Sequence, residues 1–181
     1  MRITVSADTP FAAHQLLRGR SMENKTLVLK LFLDGLGVAS DISTVSDRKR
    51  VQKAVYLGQL GGVDLGYRFS WYVKGPYSTE LTKDYYALAD ELASGSSDYK
   101  GREFLPSVRE AMKRTAPLMK VPRNVSLREE DWLELLASYH FLSKVSRQDR
   151  DTVRRTLMNE KPHVSSYADT AEKVLAGHGF L

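Results

Sequence analysis

The sequence predicts a mainly α-helical protein: a compact single domain of six or seven helices with a small β element near residues 67–73. Apolar residues recur every three to four positions in most segments, which is the helical period. Serine, glycine and proline separate these segments where helices start and stop. The strict alternation typical of a strand is convincing only from Tyr67 to Val73. Helices around a short strand would give an arrangement that resembles a winged helix.

The chain is predicted to divide into an N-terminal extension, residues 1–22, and a single helical domain, residues 23–181. The extension contains only a short apolar alternation and an early proline, which do not predict a long element. Because the first strongly periodic segment begins just after Met22, we expect the natural start to be either Met1 or Met22.

Two helices are predicted before the strand. The first spans Lys25 to Leu36 and is apolar almost all round, so we expect it to be buried and to end at the glycines that follow. The second begins at Ser46 or Asp47, either of which is a suitable cap, and continues to Leu60. Its apolar positions lie on one side and predict a partly buried helix.

The predicted strand from Tyr67 to Val73 needs a partner, because buried backbone groups without hydrogen bonds are costly. The sequence offers Arg2–Val5 and Val63–Leu65 as partners. A glycine–proline pair ends the strand, and Ser78 is expected to cap a helix that continues to Leu92.

The C-terminal half predicts four further helices. They span 104–119, Ser126 to Leu142, Ser146 to Asn159, and Ser165 or Ser166 to Gly177. Ser126 and Glu129 have the spacing of a capping box, and the helix that follows them is the most apolar of the four.

Composition excludes several classes of protein. The 181 residues are 42% hydrophobic and 27% charged, which is ordinary for a globular domain. There is no cysteine, so disulfide scaffolds, thiolate zinc sites, iron–sulfur clusters and cysteine nucleophiles are excluded. No signal peptide or membrane-spanning run is apparent, so we expect a cytoplasmic protein that does not bind membranes.

Motifs that carry chemistry are missing from the sequence. No two histidines have metal-ligand spacing, and neither a phosphate-binding loop nor a nucleophile elbow is present. The glycines between Gly58 and Gly62 follow a helix, whereas a phosphate loop follows a strand. We therefore predict no catalytic residue, no metal ligand and no cofactor, and we expect that the protein is not an enzyme.

The protein is mildly basic, with a net charge of +5, and the local charge alternates in sign from segment to segment along the C-terminal half. Neighbouring helices that attract each other, a phosphate-facing surface and a surface for an acidic protein partner all remain open. The candidate contacts to nucleic acid are Arg109, Lys113 and Arg114 and a predicted helical stripe of Arg147, Arg150 and Arg154.

A second basic group lies in the first turn of the second helix, where the helix dipole disfavours cations by about 0.3–1 kcal/mol each. These cations face an anionic ligand or a neighbouring carboxylate, or their long side chains turn away into solvent. Aromatic residues are concentrated just downstream, where they either stack on a partner or border the core. The candidate partner-binding residues are Arg48, Lys49, Arg50, Lys53, Tyr72 and Tyr77.

Three of these segments together carry a family resemblance. The helix Arg50–Leu57 (RVQKAVYL), the aromatic segment Tyr67–Tyr72 and the turn Gly75–Ser78 (GPYS) resemble the YwgA-like proteins and, more distantly, the SocA-like (Panacea) antitoxin domains. Val51 and Ala54 stand where those proteins usually have leucine. The resemblance implies a small helical cytoplasmic protein linked to toxin–antitoxin or phage-related loci, and it brings no catalytic residues.

The function expected from the sequence is that of a non-enzymatic binding or regulatory module, antitoxin-like or associated with phages and mobile elements, acting through protein–protein contact. Its partner would be a toxin or a component of a defence system, and homo-oligomers remain open. The alternative is a nucleic-acid-binding regulator that resembles a winged helix.

Overall fold

A computed structural model describes residues 22–181, and most of these residues are helical. Within this range there are eight α-helices, a 3₁₀ turn at Ala116–Met119 and a π-helical turn at Phe141–Val145. The helices are α1 (Asn24–Leu36), α2 (Val45–Gln59), α3 (Thr79–Ala93), α4 (Pro106–Lys113), α5 (Glu129–His140), α6 (Arg150–Glu160), α7 (Pro162–Ser165) and α8 (Ala168–Gly177). The prediction of a mainly helical single domain is confirmed.

Helix α5 forms the centre of the molecule. Every residue from Glu130 to His140 is buried, and Trp132 is fully enclosed, with its indole N–H donating to the carbonyl of Leu118 at 3.2 Å. The helix packs against α2 on one side and α8 on another, while α1 packs against α3. Burial of large apolar side chains stabilises the fold by about 1.5–3 kcal/mol each.

The predicted strand is present only in rudiment. Ser70 and Tyr77 form one antiparallel bridge, with N–H···O distances of 3.0 and 2.9 Å, and the described residues contain no strand. Val63–Leu65 does not pair with the segment, and Arg2–Val5 lies outside the described residues. The alternation instead serves packing onto helices, so the wing that a winged helix requires is missing between residues 22 and 181.

Several helix starts differ from the prediction because other side chains supply the caps. Thr44, rather than Ser46 or Asp47, caps α2, in a reciprocal pair in which Asp47 bonds back to the Thr44 backbone. The capping box predicted at Ser126 does not form, and α5 begins after Arg128 without a side-chain cap. Ser78 caps α3 as expected.

Helix α6 begins four residues later than predicted, capped by Asp149 rather than Ser146. The predicted helix over 104–119 divides into α4 and the 3₁₀ turn. The last predicted helix corresponds to α8, which begins at Ala168, and the short helix α7 before it was not predicted. The N-terminal extension, apart from Met22, lies outside the described residues. Within 22–181, no helix has both the length and the apolar character that crossing a bilayer requires.

Candidate functional site

A tight turn between the aromatic segment and α3 is the starting point of the site. Gly75 has a φ of 81°, a left-handed conformation that suits glycine, and its N–H donates to the Tyr72 carbonyl at 2.8 Å. A Cβ on Gly75 would lie 2.5 Å from the Ser138 hydroxyl oxygen on α5. The turn, residues 72–78, is therefore pressed against the central helix, and we call it the GPYS turn.

Two buried lysines hold the GPYS turn by its backbone. The Lys53 amine donates to the Pro76 carbonyl at 2.6 Å, and the Lys161 amine donates to the Val73 carbonyl at 2.8 Å. Lys53 is 2% exposed and Lys161 is fully buried. These bonds join α2 and the α6–α7 junction to the same turn.

Gln52 completes the attachment next to Lys53. Its side-chain amide donates to the Ser78 carbonyl at 2.8 Å, and its oxygen accepts from the Ser78 N–H at 3.0 Å. Gln52 thus pairs with both the N–H and the carbonyl of Ser78, so neither of these buried backbone groups is left without a hydrogen bond. The QK pair of α2 and the GPYS turn, distant in sequence, are therefore in direct contact.

Glu134 on α5 balances the charge beneath the turn. One of its carboxylate oxygens accepts from Lys161 at 2.9 Å, and the other accepts from Lys49 at 2.8 Å. Lys49 also donates to Asp131 at 2.6 Å. Burial acts to raise the pKa of Glu134, but the two lysines outweigh burial and hold that pKa below its usual value.

Lys53 has no carboxylate partner among the described residues. Burial, together with the positive charges of Lys161, Lys49 and Lys74, lowers the pKa of Lys53 to about 7 despite the opposing charge of Glu134. Lys49, which is paired with two carboxylates, has instead a raised pKa because their hydrogen bonds outweigh its burial. Neighbouring lysines on α2 therefore differ in protonation at neutral pH.

Asp131, Glu134 and His163 are the one set of metal-ligand side chains that residues 22–181 bring together, with ligand atoms within 4.8 Å of one another. The ammonium groups of Lys49 and Lys161 already bond to these carboxylates. His163 lies 3.6 Å from Glu134 and is half exposed. The cluster is therefore neutralised by lysines of the same chain, and a cation would have to displace them.

A groove of about 480 Å³ opens beside this cluster, between α2, α3 and the GPYS turn. Five of the six predicted partner-binding residues line it: Arg48, Lys49, Lys53, Tyr72 and Tyr77. Its other lining residues are Val45, Gln52, Val73, Lys74, Thr82, Tyr85 and Tyr86. The sixth predicted residue, Arg50, lies elsewhere and pairs with Asp47 at 2.9 Å.

The groove gathers exposed apolar surface. Eight large hydrophobic side chains are exposed in residues 22–181, and four of them, Val45, Tyr72, Val73 and Tyr86, line this groove. Val73 is 74% exposed and Tyr72 is 58% exposed. The Tyr72 and Tyr77 rings lie 5.4 Å apart, so together they form an aromatic rim. Exposed apolar surface concentrated in one place is typical of an interaction site.

The charge of the groove is one-sided. Four basic side chains line it, Arg48, Lys49, Lys53 and Lys74, and no aspartate or glutamate does. The Arg48 guanidinium donates to the Ile42 and Ser43 carbonyls, at 2.8 and 3.2 Å, rather than to a carboxylate. Only Lys49 is neutralised by an ion pair, so the lining carries positive charge that nothing in the groove offsets.

The predicted nucleic-acid contacts are mostly engaged within the chain. Arg109 pairs with Glu103 and Lys113 pairs with Glu110, while Arg150 and Arg154 pair with Glu172 and Asp169 of α8. Arg114 donates to the Gly61 carbonyl at 3.4 Å. The predicted stripe of Arg147, Arg150 and Arg154 does not form on one helix, because α6 begins at Arg150 and Arg147 precedes it with a φ of 54°.

Sequence reasoning missed Gln52, Glu134 and Lys161. A glutamate within the most apolar of the C-terminal predicted helices was the one available signal, since a buried carboxylate demands a partner. Nothing in the sequence indicates that Lys161 reaches back to a turn formed by residues 72–78.

Comparisons of this chain with family models, with curated proteins and with solved structures found no match. The resemblance to the YwgA-like proteins and the SocA-like (Panacea) domains therefore stays a prediction.

Proposed function

We propose that the protein is a non-enzymatic binding module whose groove takes an acidic, apolar segment of a partner protein. The observation that supports this most directly is the composition of the groove. It combines four exposed hydrophobic side chains with four basic side chains and has no acidic lining residue. A segment that carries aspartate or glutamate beside large apolar side chains would match both properties.

The roles within the groove follow from exposure and pairing. Tyr72 and Tyr86, 58% and 47% exposed, supply apolar contact area at low entropic cost. Arg48 and Lys74, which have no carboxylate partner among the described residues, would attract the acids of the partner. The buried lysines under the GPYS turn fix its shape before the partner arrives, which lowers the cost of binding.

In line with the resemblance, we further propose that the module is antitoxin-like and acts in the cytoplasm. Its partner would then be a toxin or a defence-system component encoded nearby. A neighbouring gene that is harmful when expressed alone, and harmless when expressed with this protein, would support the proposal.

The test uses the purified full chain and the product of that neighbouring gene. Tyr72→Ala should weaken binding by about 10-fold or more, since central aromatic contacts contribute roughly 1–2 kcal/mol. Lys74→Glu should weaken it further and reduce the dependence of the association rate on salt. Lys113→Glu is the matched control, because Lys113 is exposed on α4 and does not line the groove.

Two results would contradict the proposal. One is partner binding that Tyr72→Ala and Lys74→Glu leave unchanged. The other is tight binding of the chain to duplex DNA at about 50 mM salt that falls steeply as salt rises, which would favour the nucleic-acid alternative.

A further inference from the structure

We infer that Lys53 is a nucleophilic amine that condenses with small anionic aldehydes or ketones entering the groove. This activity goes beyond the docking of a protein segment. It uses the same groove, but it requires no protein partner, so the two proposals can fail independently.

The hydrogen bonds around Lys53 leave its amine without a carboxylate partner among the described residues. Lys49 and Lys161 take the two oxygens of Glu134, and Lys53 is left with the Pro76 carbonyl at 2.6 Å. A neutral amine has two N–H donors and one lone pair. One N–H satisfies the Pro76 carbonyl in either protonation state, and no described residue donates a hydrogen bond to the lone pair.

The surroundings favour the neutral, reactive form. Lys53 is 2% exposed and three other lysines act on it electrostatically, so its pKa lies at about 7. Desolvation and neighbouring cations are the two means by which proteins activate lysine nucleophiles. An exposed lysine with a pKa near 10.4 is neutral in only about one molecule in 2,500 at pH 7. With its pKa at about 7, about half of Lys53 is neutral at that pH.

The groove indicates the class of compound. Lys53 lies in its wall, Arg48 and Lys74 add uncompensated positive charge, and no acid lines it. Tyr72 and Tyr77 offer ring faces. A carbonyl compound that carries a phosphate or a carboxylate, and a flat ring, would meet complementary charge and an aromatic wall.

The reaction balances without an external oxidant or reductant. The Lys53 lone pair attacks the carbonyl carbon, the C=O π electrons move to oxygen, and a proton moves from nitrogen to that oxygen to give a carbinolamine. Loss of water then forms the C=N bond. The amine and the carbonyl compound thus become an imine and one water molecule.

Pyridoxal 5′-phosphate, an anionic aromatic aldehyde, is the probe for the full chain. The imine is reduced with borohydride and the labelled lysines are identified by peptide mapping. At pH 7 we expect Lys53 to be labelled ~10-fold or more faster than exposed Lys173, since its larger neutral fraction outweighs its burial. The labelling rate at Lys53 should rise with pH to a plateau, with a midpoint near 7.

Two controls test separately the role of the Lys53 amine and the role of the charge of the groove. Lys53→Arg keeps a cation and a donor to the Pro76 carbonyl, and it should abolish the fast label without creating another. Uncharged benzaldehyde should label Lys53 more slowly than the anionic probe does. Wild-type protein labelled no faster at Lys53 than at Lys173 would overturn the inference, and equal rates for the two aldehydes would overturn the assigned class of compound.

Discussion

At the scale of single residues, the molecule depends on a few polar side chains placed inside an apolar core. Glu134 is 2% exposed and holds two lysines, one on each oxygen. Burial of a charge is costly unless it is paired, so each of these three groups depends on the other two. The arrangement is therefore sensitive to loss of the central carboxylate.

Glu134→Gln should destabilise the fold by about 3–5 kcal/mol, because it leaves the buried Lys161 ammonium without its carboxylate and leaves Lys49 with Asp131 alone. Chemical denaturation measures the change. Glu129→Gln, in the exposed first turn of the same helix, is the control and should change stability by less than about 0.5 kcal/mol. Equal effects of the two substitutions would show that the cluster does not contribute as described.

Lys53 should make stability depend on pH. Its pKa is about 7 when folded and near 10.5 when exposed, so between these values the unfolded chain binds the proton that the folded chain has released. Stability from this group therefore rises as pH rises from about 7 to 10, and is at its lowest below pH 7. The unfolding free energy of wild type minus that of Lys53→Met should therefore increase as pH rises across that window. A value of this difference that does not change with pH would contradict the lowered pKa of Lys53.

At the scale of elements, the GPYS turn is held by hydrogen bonds of its own backbone to α2 and the α6–α7 junction, and it packs closely against α5 at Gly75. The sequence indicated a proline-containing turn and a cap at Ser78, and both are present. It did not indicate that the preceding residues would pack onto helices rather than pair as a strand. An alternating pattern of apolar residues indicates which side chains are buried, but it does not indicate which element covers them. Tyr67 is only 4% exposed, although the segment does not pair as a strand.

Gly75→Ala should destabilise the protein more than Gly66→Ala does. The two glycines have nearly the same φ, 81° and 83°, so the cost of the left-handed backbone is shared. A Cβ meets the Ser138 hydroxyl at 2.5 Å at Gly75 and meets nothing within 4 Å at Gly66. The difference in melting temperature between the two variants measures the destabilisation caused by the contact between the added Cβ and Ser138. Combining Gly75→Ala with Ser138→Ala should restore part of the lost stability.

At the scale of the whole molecule, the helical class was predictable because apolar spacing at three to four residues is a strong signal. The groove was predictable in part, because five predicted residues line it: Arg48, Lys49, Lys53, Tyr72 and Tyr77. The rest was not, because ion pairs between distant helices, such as Arg150 with Glu172, leave no local pattern. Of the predicted nucleic-acid contacts, Arg150 and Arg154 form such pairs, whereas Arg109 and Lys113 pair with glutamates close to them in sequence.

The rate of amide hydrogen exchange should differ strongly between helices. Helix α5 is buried on all sides, so its amides from Leu133 to Tyr139 should exchange only through global unfolding. Helix α4 buries only Met112 and should exchange faster by about 100-fold or more, through local opening. Similar protection of the two helices, measured by mass spectrometry, would contradict the central position of α5.

The attachment of the GPYS turn through carbonyl oxygens has a consequence for how such a protein diversifies. Lys53 and Lys161 bond to the backbone at Pro76 and Val73, so they recognise the path of the chain and not its side groups. The side chains of Tyr72, Val73 and Lys74 point to solvent and take no part in that anchoring. Substitutions at these three positions should therefore change the exposed surface of the groove while the attachment of the turn beneath stays intact.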